Sequence, residues 1–214
     1  MNTTTAMDRA HGSFMASSRA AHTLPQLLAA QELHRRLPIV GLREALLQLR
    51  LLDEPMLRLL AAEDPDLLRS RSGELVQRLL LTEDELQRAL ARVAGLMEIE
   101  VLGFDTDPKA FDVLPLRQAH SLSVVPLGMA NEQFYVASCA PTSEDLRLRL
   151  CSLTGHSVNL VWASREAIER RLEVQDRVER AGHANSAPAI VEEVRRRLTP
   201  TGLSLIHISE PTRP

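Results

Sequence analysis

A helical pair that recurs after 29 residues constrains this chain more than any other pattern. Six residues between positions 46 and 57 recur 29 positions later as the same type, at Leu75, Gln77, Leu80, Leu81, Glu83 and Leu86. In the second copy, Thr82 and Glu85 form a Thr-x-x-Glu capping box that predicts a helix start, and Gly95 predicts its end. Asp53 stands in place of Thr82 in the first copy, so both copies are predicted to be a helix, a turn and a second helix.

Composition favours a helix-rich protein that buries a core. The chain has 214 residues, of which 44% are hydrophobic and 3% aromatic. The net charge of -3 gives no broad attraction for nucleic acid. The 25 basic residues include one lysine, Lys109, and the arginines alternate with acids, which is typical of solvated helix faces. No stretch approaches the roughly 20 apolar residues of a membrane helix, so no direct membrane insertion is expected.

The second half of the chain changes its hydrophobic period. Short apolar runs at residues 97–102, 123–127, 133–138 and 157–162 predict strands, and helices are predicted at residues 107–113, 116–121 and 143–153. A final helix is capped by Ser164 and expected to end near Arg180. Residues 128–132 join two of the strands as a hairpin, and Pro126 places its first strand at an edge or a strand end. The predicted fold class is α+β: a tandem helical-pair N-terminal half followed by a small sheet covered by helices.

These patterns predict five segments. Residues 1–24 are predicted as a disordered tail, residues 25–96 as a helical repeat subdomain that includes a leading helix, and residues 97–180 as an α+β subdomain. Residues 181–202 have the composition of a linker followed by the start of a downstream domain that the chain lacks. Residues 203–214 are interpreted as the translation of a sequencing adapter, which would end the natural reading frame near Gly202.

The order and spacing of these elements resemble the N-terminal domain of type II secretion and type IV pilus assembly ATPases, a general secretory pathway protein E or MshE-N-like domain. The resemblance covers about residues 42–173. It is carried by LVQRLLLTEDELQRALA at 75–91, DPKAFDVLP at 107–115, SVVPL at 123–127, FYVASCAPTSEDL at 134–146 and LTGHSVNLVWASREAIERRL at 153–172. In the adapter-like segment, SLIHISEP also resembles the ASDIHIEP stretch that opens the nucleotide-binding part of such ATPases.

The resemblance implies a non-catalytic docking domain that tethers a motor to an inner-membrane platform protein. The expected location is the cytoplasm, peripheral to the inner membrane through that partner, with the chain's own downstream motor domain as a second partner. The β-containing half is the expected docking surface. Two alternatives remain open: a cyclic di-GMP-sensing regulatory domain, and a regulatory module of a membrane glycosyltransferase.

Relatives that bind cyclic di-GMP carry a tandem motif that opens Arg-Leu-Gly, has a second glycine seven residues on and closes with glutamine. This chain keeps the five-residue spacer between the copies, at residues 65–69, but not the ligand residues. The openings are Gly41, Leu42, Arg43 and Ser70, Arg71, Ser72; the second glycines are Arg50 and Leu79; the closing glutamines are Asp64 and Val93. The resemblance therefore implies that the nucleotide site is lost and no cofactor is bound, with Arg43, Arg69 and Arg71 as weak substitute contacts.

The sequence contains no recognisable set of catalytic or metal-binding residues. No Gly-x4-Gly-Lys-Ser/Thr phosphate loop occurs and Lys109 has no flanking glycines, so this chain is predicted not to be an enzyme, although its full-length parent could be an ATPase. His120 and His156 are expected at the end of a helical turn and in a loop. Cys139 and Cys151 lack CxxC spacing and are expected to be buried free thiols of a cytosolic protein.

Overall fold

The computed structural model describes residues 21–35 and 39–198, with side chains up to residue 181. The predicted tail, apart from residues 21–24, and the adapter-like segment lie outside the described residues. The chain divides into two units, Met1–Val174 and Gln175–Pro214.

The first half of the described chain is helical, and the second half contains a small sheet with further helices. The helices are α1 (Leu24–His34), α2 (Leu42–Gln48), α3 (Glu54–Glu63), α4 (Glu74–Gln77), α5 (Glu83–Val93), α6 (Ala110–Val113), α7 (Leu116–Leu122), α8 (Glu144–Thr154) and α9 (Arg165–Leu198), with a 3-10 turn at Val101–Gly103. The strands are β1 (Val124–Ala130), β2 (Gln133–Ser138) and β3 (Ser157–Trp162). The α+β class predicted from the sequence is confirmed.

The sheet has the order β1-β2-β3, with β1 antiparallel to β2 and β2 parallel to β3. Helix α8 supplies the crossover between the two parallel strands, which a parallel pair requires. The segment before the 3-10 turn extends the sheet beside β3, because Ile99 N–H donates to the Trp162 carbonyl at 2.9 Å and Trp162 N–H donates to Met97 at 2.7 Å. This extension is a single bridge at Glu98 rather than the full strand predicted for residues 97–102.

Strand β1 lies at the edge of the sheet, as Pro126 predicts, because proline has no N–H to donate. The pairing with β2 shifts between Pro126 and Gly128, where Gly128 adopts a φ of +149°. This bulge lets the strand continue to Ala130, beyond the predicted end. Asn131 and Glu132 then turn the chain with φ of 49° and 60°, the two positive values of a type I′ hairpin turn.

Two hydrophobic cores lie within the first unit. The repeat core consists of buried side chains from both helical pairs: Leu42, Leu46, Leu57, Leu60, Leu67, Leu75, Leu81, Leu86 and Ala89. The α/β core surrounds the sheet and contains Phe104, Phe134, Leu127, Leu150 and Ile168 among its fully buried members. The face of α5 that carries Leu86 and Ala89 therefore joins the second helical pair to the first.

The leading helix α1 packs on the α/β core rather than on the repeats with which the sequence grouped it. Leu27 and Ala30 are buried in that core. Gln31 fixes the contact, because its side-chain amide donates to Asn159 on β3 at 3.3 Å and accepts from the Tyr135 hydroxyl on β2 at 3.4 Å.

The final helix departs from the sequence prediction in its length. It was expected to end near Arg180 before a linker at residues 182–188, but α9 runs on to Leu198. Its start agrees with prediction, because Ser164 accepts a hydrogen bond from Ala167 N–H at 3.3 Å as an N-cap.

Candidate functional site

The first helix of each repeat ends in the same hydrogen-bonded turn. After α2, Leu51 N–H donates to Leu46 O at 3.0 Å and Arg50 N–H donates to Leu47 O at 3.0 Å. This pair of bonds is a Schellman motif, in which the residue after the cap adopts a left-handed conformation that favours glycine. Arg50 is that residue, with a φ of 55°.

The second repeat reproduces this turn 29 residues later. Leu80 N–H donates to Leu75 O at 2.9 Å, Leu79 N–H donates to Val76 O at 2.9 Å, and the φ of Leu79 is 57°. A third Schellman motif closes α5 with glycine in the usual place, Gly95 at a φ of 68°. Both turns therefore place a large side chain in a backbone conformation that favours glycine.

A shallow groove lies on the surface beside the first of these turns. We call it the repeat groove; its lining residues are Leu47, Arg50, Leu51, Leu52, Asp53, Glu54 and Met56. Asp53 caps α3 by accepting from Met56 N–H at 3.0 Å, as predicted. Glu54 accepts from Arg43 at 2.5 Å and from Arg58 at 3.0 Å. The hydrogen bond from Arg58 is the main cause that lowers the pKa of Glu54, and the charge of Arg43 adds to it.

The three candidate phosphate-binding arginines do not converge on a common site. Arg43 is engaged with Glu54. Arg71 forms ion pairs with Asp64 and Glu74, which hold the turn between the two repeats. Arg69 is exposed, and its backbone N–H donates to the Asp66 carbonyl at 3.1 Å. Two of the three are thus bound to carboxylates that an anionic ligand would have to displace.

The other residues singled out in the sequence contribute no reactive group. His120, His156 and Lys109 are exposed on separate elements. Cys139 is buried, and burial raises the pKa of its thiol, which opposes thiolate chemistry. Within the described residues no group of three or more His, Cys, Asp or Glu side chains could hold a metal ion.

Large apolar side chains are exposed in both halves of the first unit. In the repeats, Leu79 is 90% exposed and Leu59 is 62% exposed, with Met56 one turn before Leu59 on α3. In the α/β half, Leu148 on α8 is 54% exposed. The two most exposed of these leucines belong to the repeats.

A second depression lies where α5 meets β3, and sequence reasoning did not find it. We call it the junction cavity; it is lined by His34, Arg88, Arg92, Glu98 and Trp162 together with four apolar side chains. Arg88 Nε donates to Glu98 at 3.0 Å, and its guanidinium carbon lies 5.6 Å from the Trp162 ring centre, a cation–π distance. Arg88 and Arg92 are four residues apart on α5, a spacing that places them on one side of the helix. The sequence analysis did not use this spacing, because it interpreted the alternating charges as a solvated face.

Comparison with known proteins gives one family match, in the second half of the chain. Residues 99–174 match the MshEN domain family, and this range spans the sheet, α6 to α8 and the start of α9. The resemblance to N-terminal domains of secretion and pilus assembly ATPases is thereby confirmed. No curated protein matches the chain at a significant level.

Two solved structures resemble this chain at low identity. The structure of MshE with cdg is 18% identical with a TM-score of 0.46, over 63% of this chain and 97% of that chain. The N-terminal domain of XpsE is 24% identical with a TM-score of 0.40, over 61% of this chain and 90% of that chain. At these values the likeness carries no argument about ligands. In the part of the chain that the structure describes, no helix is both long and apolar enough to cross a membrane.

Proposed function

We propose that this chain is a non-catalytic docking domain of a secretion or pilus assembly ATPase, which tethers the motor to an inner-membrane platform protein. It would act in the cytoplasm and reach the membrane through that partner. The MshEN match supports the class of parent protein. The docking role is argued from the apolar side chains that the repeats expose to solvent.

The observation that carries the proposal is the pair Arg50 and Leu79. Both stand where a relative that binds cyclic di-GMP has glycine, and a side chain there blocks the close approach of a nucleotide to the backbone. Leu79 instead presents an apolar side chain to solvent at 90% exposure. A leucine side chain offers a charged nucleotide no hydrogen-bond donor, whereas it can pack against an apolar group of a protein partner.

Other apolar side chains of the repeats line the repeat groove or are exposed on α3. Leu51, Leu52 and Met56 contribute apolar groups to the groove, and Leu59 follows on the same helix. We therefore infer that the platform protein contacts the repeats, in contrast to the β-containing half that the resemblance favoured. Docking on the repeats and docking on the β-containing half predict different effects of single substitutions.

Binding of the cytoplasmic region of the platform protein, measured by calorimetry on the full chain, tests the proposal. Leu79→Asp and Leu59→Asp are expected to weaken binding by at least about tenfold each, because each buries a charge in an apolar contact. Leu148→Asp on the α/β half is the matched control and should leave binding unchanged. The reverse pattern would place docking on the α/β half, and no binding by the wild-type chain would refute docking altogether.

The cyclic di-GMP sensor is the second candidate, favoured by the left-handed turns and the spacer that the repeats keep. To contact the nucleotide, Arg43 would have to leave Glu54, and Arg71 would have to leave Asp64 and Glu74. A titration of the chain with cyclic di-GMP separates the two functions. The docking proposal predicts no heat of binding at high micromolar nucleotide.

A further inference from the structure

The floor of the repeat groove is apolar and is held in place by the core below it. The floor consists of the apolar lining residues Leu47, Leu51, Leu52 and Met56. The three leucines are half-buried and pack against the repeat core, and Met56 is 36% exposed. The groove measures about 560 Å³, inside the range of roughly 300–1,000 Å³ that is usual for binding sites. It is therefore large enough to take several apolar side chains of a ligand.

The apolar surface continues from the groove along α3. Leu59 follows Met56 by three residues, a spacing that places both side chains on one side of the helix. Leu59 is 62% exposed, so this side of α3 contacts solvent. A ligand that fills the groove can thus extend one helical turn along α3, which suits an elongated peptide segment better than a compact molecule.

A positive charge without a counterion lies at the edge of this surface. Arg50 lines the groove and is exposed. In the part of the chain whose side chains the structure describes, no carboxylate forms an ion pair with the Arg50 guanidinium. The Schellman motif fixes the backbone from which this side chain extends, with a φ of 55°. Arg50 is therefore available to an acidic group of a ligand.

The two carboxylates that line the groove are already engaged. Asp53 caps the N-terminus of α3 by accepting from Met56 N–H at 3.0 Å. Glu54 is shared between Arg43 at 2.5 Å and Arg58 at 3.0 Å. The groove and the two arginines that bind Glu54 thus carry three positive and two negative charges, although the whole chain has a net charge of -3. This local excess of positive charge attracts an acidic partner.

The floor and the charges together specify the chemistry of the ligand. We infer that the repeat groove binds a segment of the platform protein in which an acidic side chain stands beside apolar ones. The apolar side chains lie on the groove floor, and the carboxylate pairs with Arg50. This contact rests on the docking function proposed above, and it adds a charge interaction that docking through Leu59 and Leu79 alone does not require.

Salt separates the charged contribution from the apolar one, because salt screens exposed charges and leaves apolar contacts intact. Calorimetry measures binding of the full chain to the cytoplasmic region of the platform protein at about 0.05 M and about 0.5 M sodium chloride. Arg50→Glu is expected to weaken binding by at least about tenfold at low salt and by much less at high salt. Met56→Ala is expected to weaken it by about threefold at both concentrations, because it removes only apolar area. Should Arg50→Glu not fold, Arg50→Gln shows the same salt dependence with a smaller loss.

Arg149→Glu is the matched control for the change of charge. Arg149 is exposed on α8 in the α/β half and makes no ion pair with a described residue, so this variant should keep the wild-type affinity. Equal losses in Arg50→Glu and Arg149→Glu, or no loss in Arg50→Glu, would overturn the acidic contact even where Leu79→Asp and Leu59→Asp abolish docking. Absence of binding by the wild-type chain would refute the docking function itself, and the groove contact with it.

Two other occupants of the groove give different results. Cyclic di-GMP in the groove would displace the platform protein from the wild-type chain. A second copy of the chain would appear in sedimentation as a dimer that Arg50→Glu dissociates. Either result would overturn the contact with the platform protein, which predicts neither.

Discussion

Arg50 and Leu79 occupy equivalent places in the two helical pairs, 29 residues apart, and share a left-handed backbone with φ of 55° and 57°. Both end a helix in a Schellman motif, and each precedes an N-cap by three residues, Asp53 and Thr82. Left-handed backbone is unfavourable for residues with a Cβ atom. Both repeats therefore place a residue with a Cβ atom in a turn that suits glycine.

Leu79→Gly is expected to stabilise the chain by about 0.5–1 kcal/mol, because it relieves the left-handed strain and removes little buried surface. Urea unfolding measures the change. Leu79→Ala keeps the strain and should show no gain. Gly95→Ala provides the inverse control: its φ is 68° and nothing lies within 4 Å of an added Cβ, so its loss of stability reports backbone strain alone. A destabilised Leu79→Gly would show that the leucine packs on something in the folded chain.

The capping box of α5 should contribute measurably to stability. Thr82 Oγ1 accepts from Glu85 N–H at 3.3 Å, and Glu85 accepts from Thr82 N–H at 2.8 Å. Thr82→Ala is expected to lower the free energy of unfolding by about 1 kcal/mol, while Thr82→Ser keeps the hydroxyl and most of the stability. Thermal unfolding followed by circular dichroism compares the two. Equal losses in both variants would mean that the methyl group, and not the cap, is responsible.

The Arg88–Glu98 pair should be worth more than a surface ion pair, because the side chain of Glu98 is only 8% exposed. Arg88→Gln leaves that carboxylate without its 3.0 Å partner and is expected to cost about 1–3 kcal/mol. It should also shift the emission of Trp162, which loses the cation above its ring. In a double-mutant cycle with Glu98→Gln, much of the loss should disappear. Additive losses would show that the two side chains act independently.

The ion pairs of Glu54 make a pH-dependent contribution to stability. The hydrogen bond from Arg58, aided by the charge of Arg43, holds the pKa of Glu54 below its usual value of 4.5. A carboxyl whose pKa is lower in the folded state stabilises the fold above the unfolded pKa and loses that effect as pH falls through the folded pKa. Glu54→Gln should therefore be less stable than wild type near neutral pH, and the gap should close in acid. The same comparison in an Arg58→Gln background is the control, and the gap should be smaller there, because the main hydrogen bond to Glu54 is gone.

Sequence patterns predicted the helix ends and the strand edge correctly where a single residue type determines the local backbone. The capping box, the Asp53 cap, Gly95 and the edge position of Pro126 are each set by the residue itself. The left-handed turns at Arg50 and Leu79 could not be predicted from residue type, because glycine is the usual signal.

Packing contacts between elements that are distant in the sequence were harder to predict. The amphipathic pattern of α1 indicates a buried face but not that Leu27 enters the α/β core. The arginines of α5 have the spacing of solvated residues, yet Arg92 is buried and lines the junction cavity with Met97 and Trp162. Residues 182–188 have the composition of a linker, and the chain nevertheless continues as helix to Leu198.

One titration tests the central claim most directly: the affinity of the full chain for the cytoplasmic region of the platform protein, measured by calorimetry with and without saturating cyclic di-GMP. A docking domain that has lost its nucleotide site should bind the partner with the same dissociation constant in both conditions. Binding that appears only with cyclic di-GMP, or that changes by tenfold or more on its addition, would contradict the account and identify the repeats as a sensor.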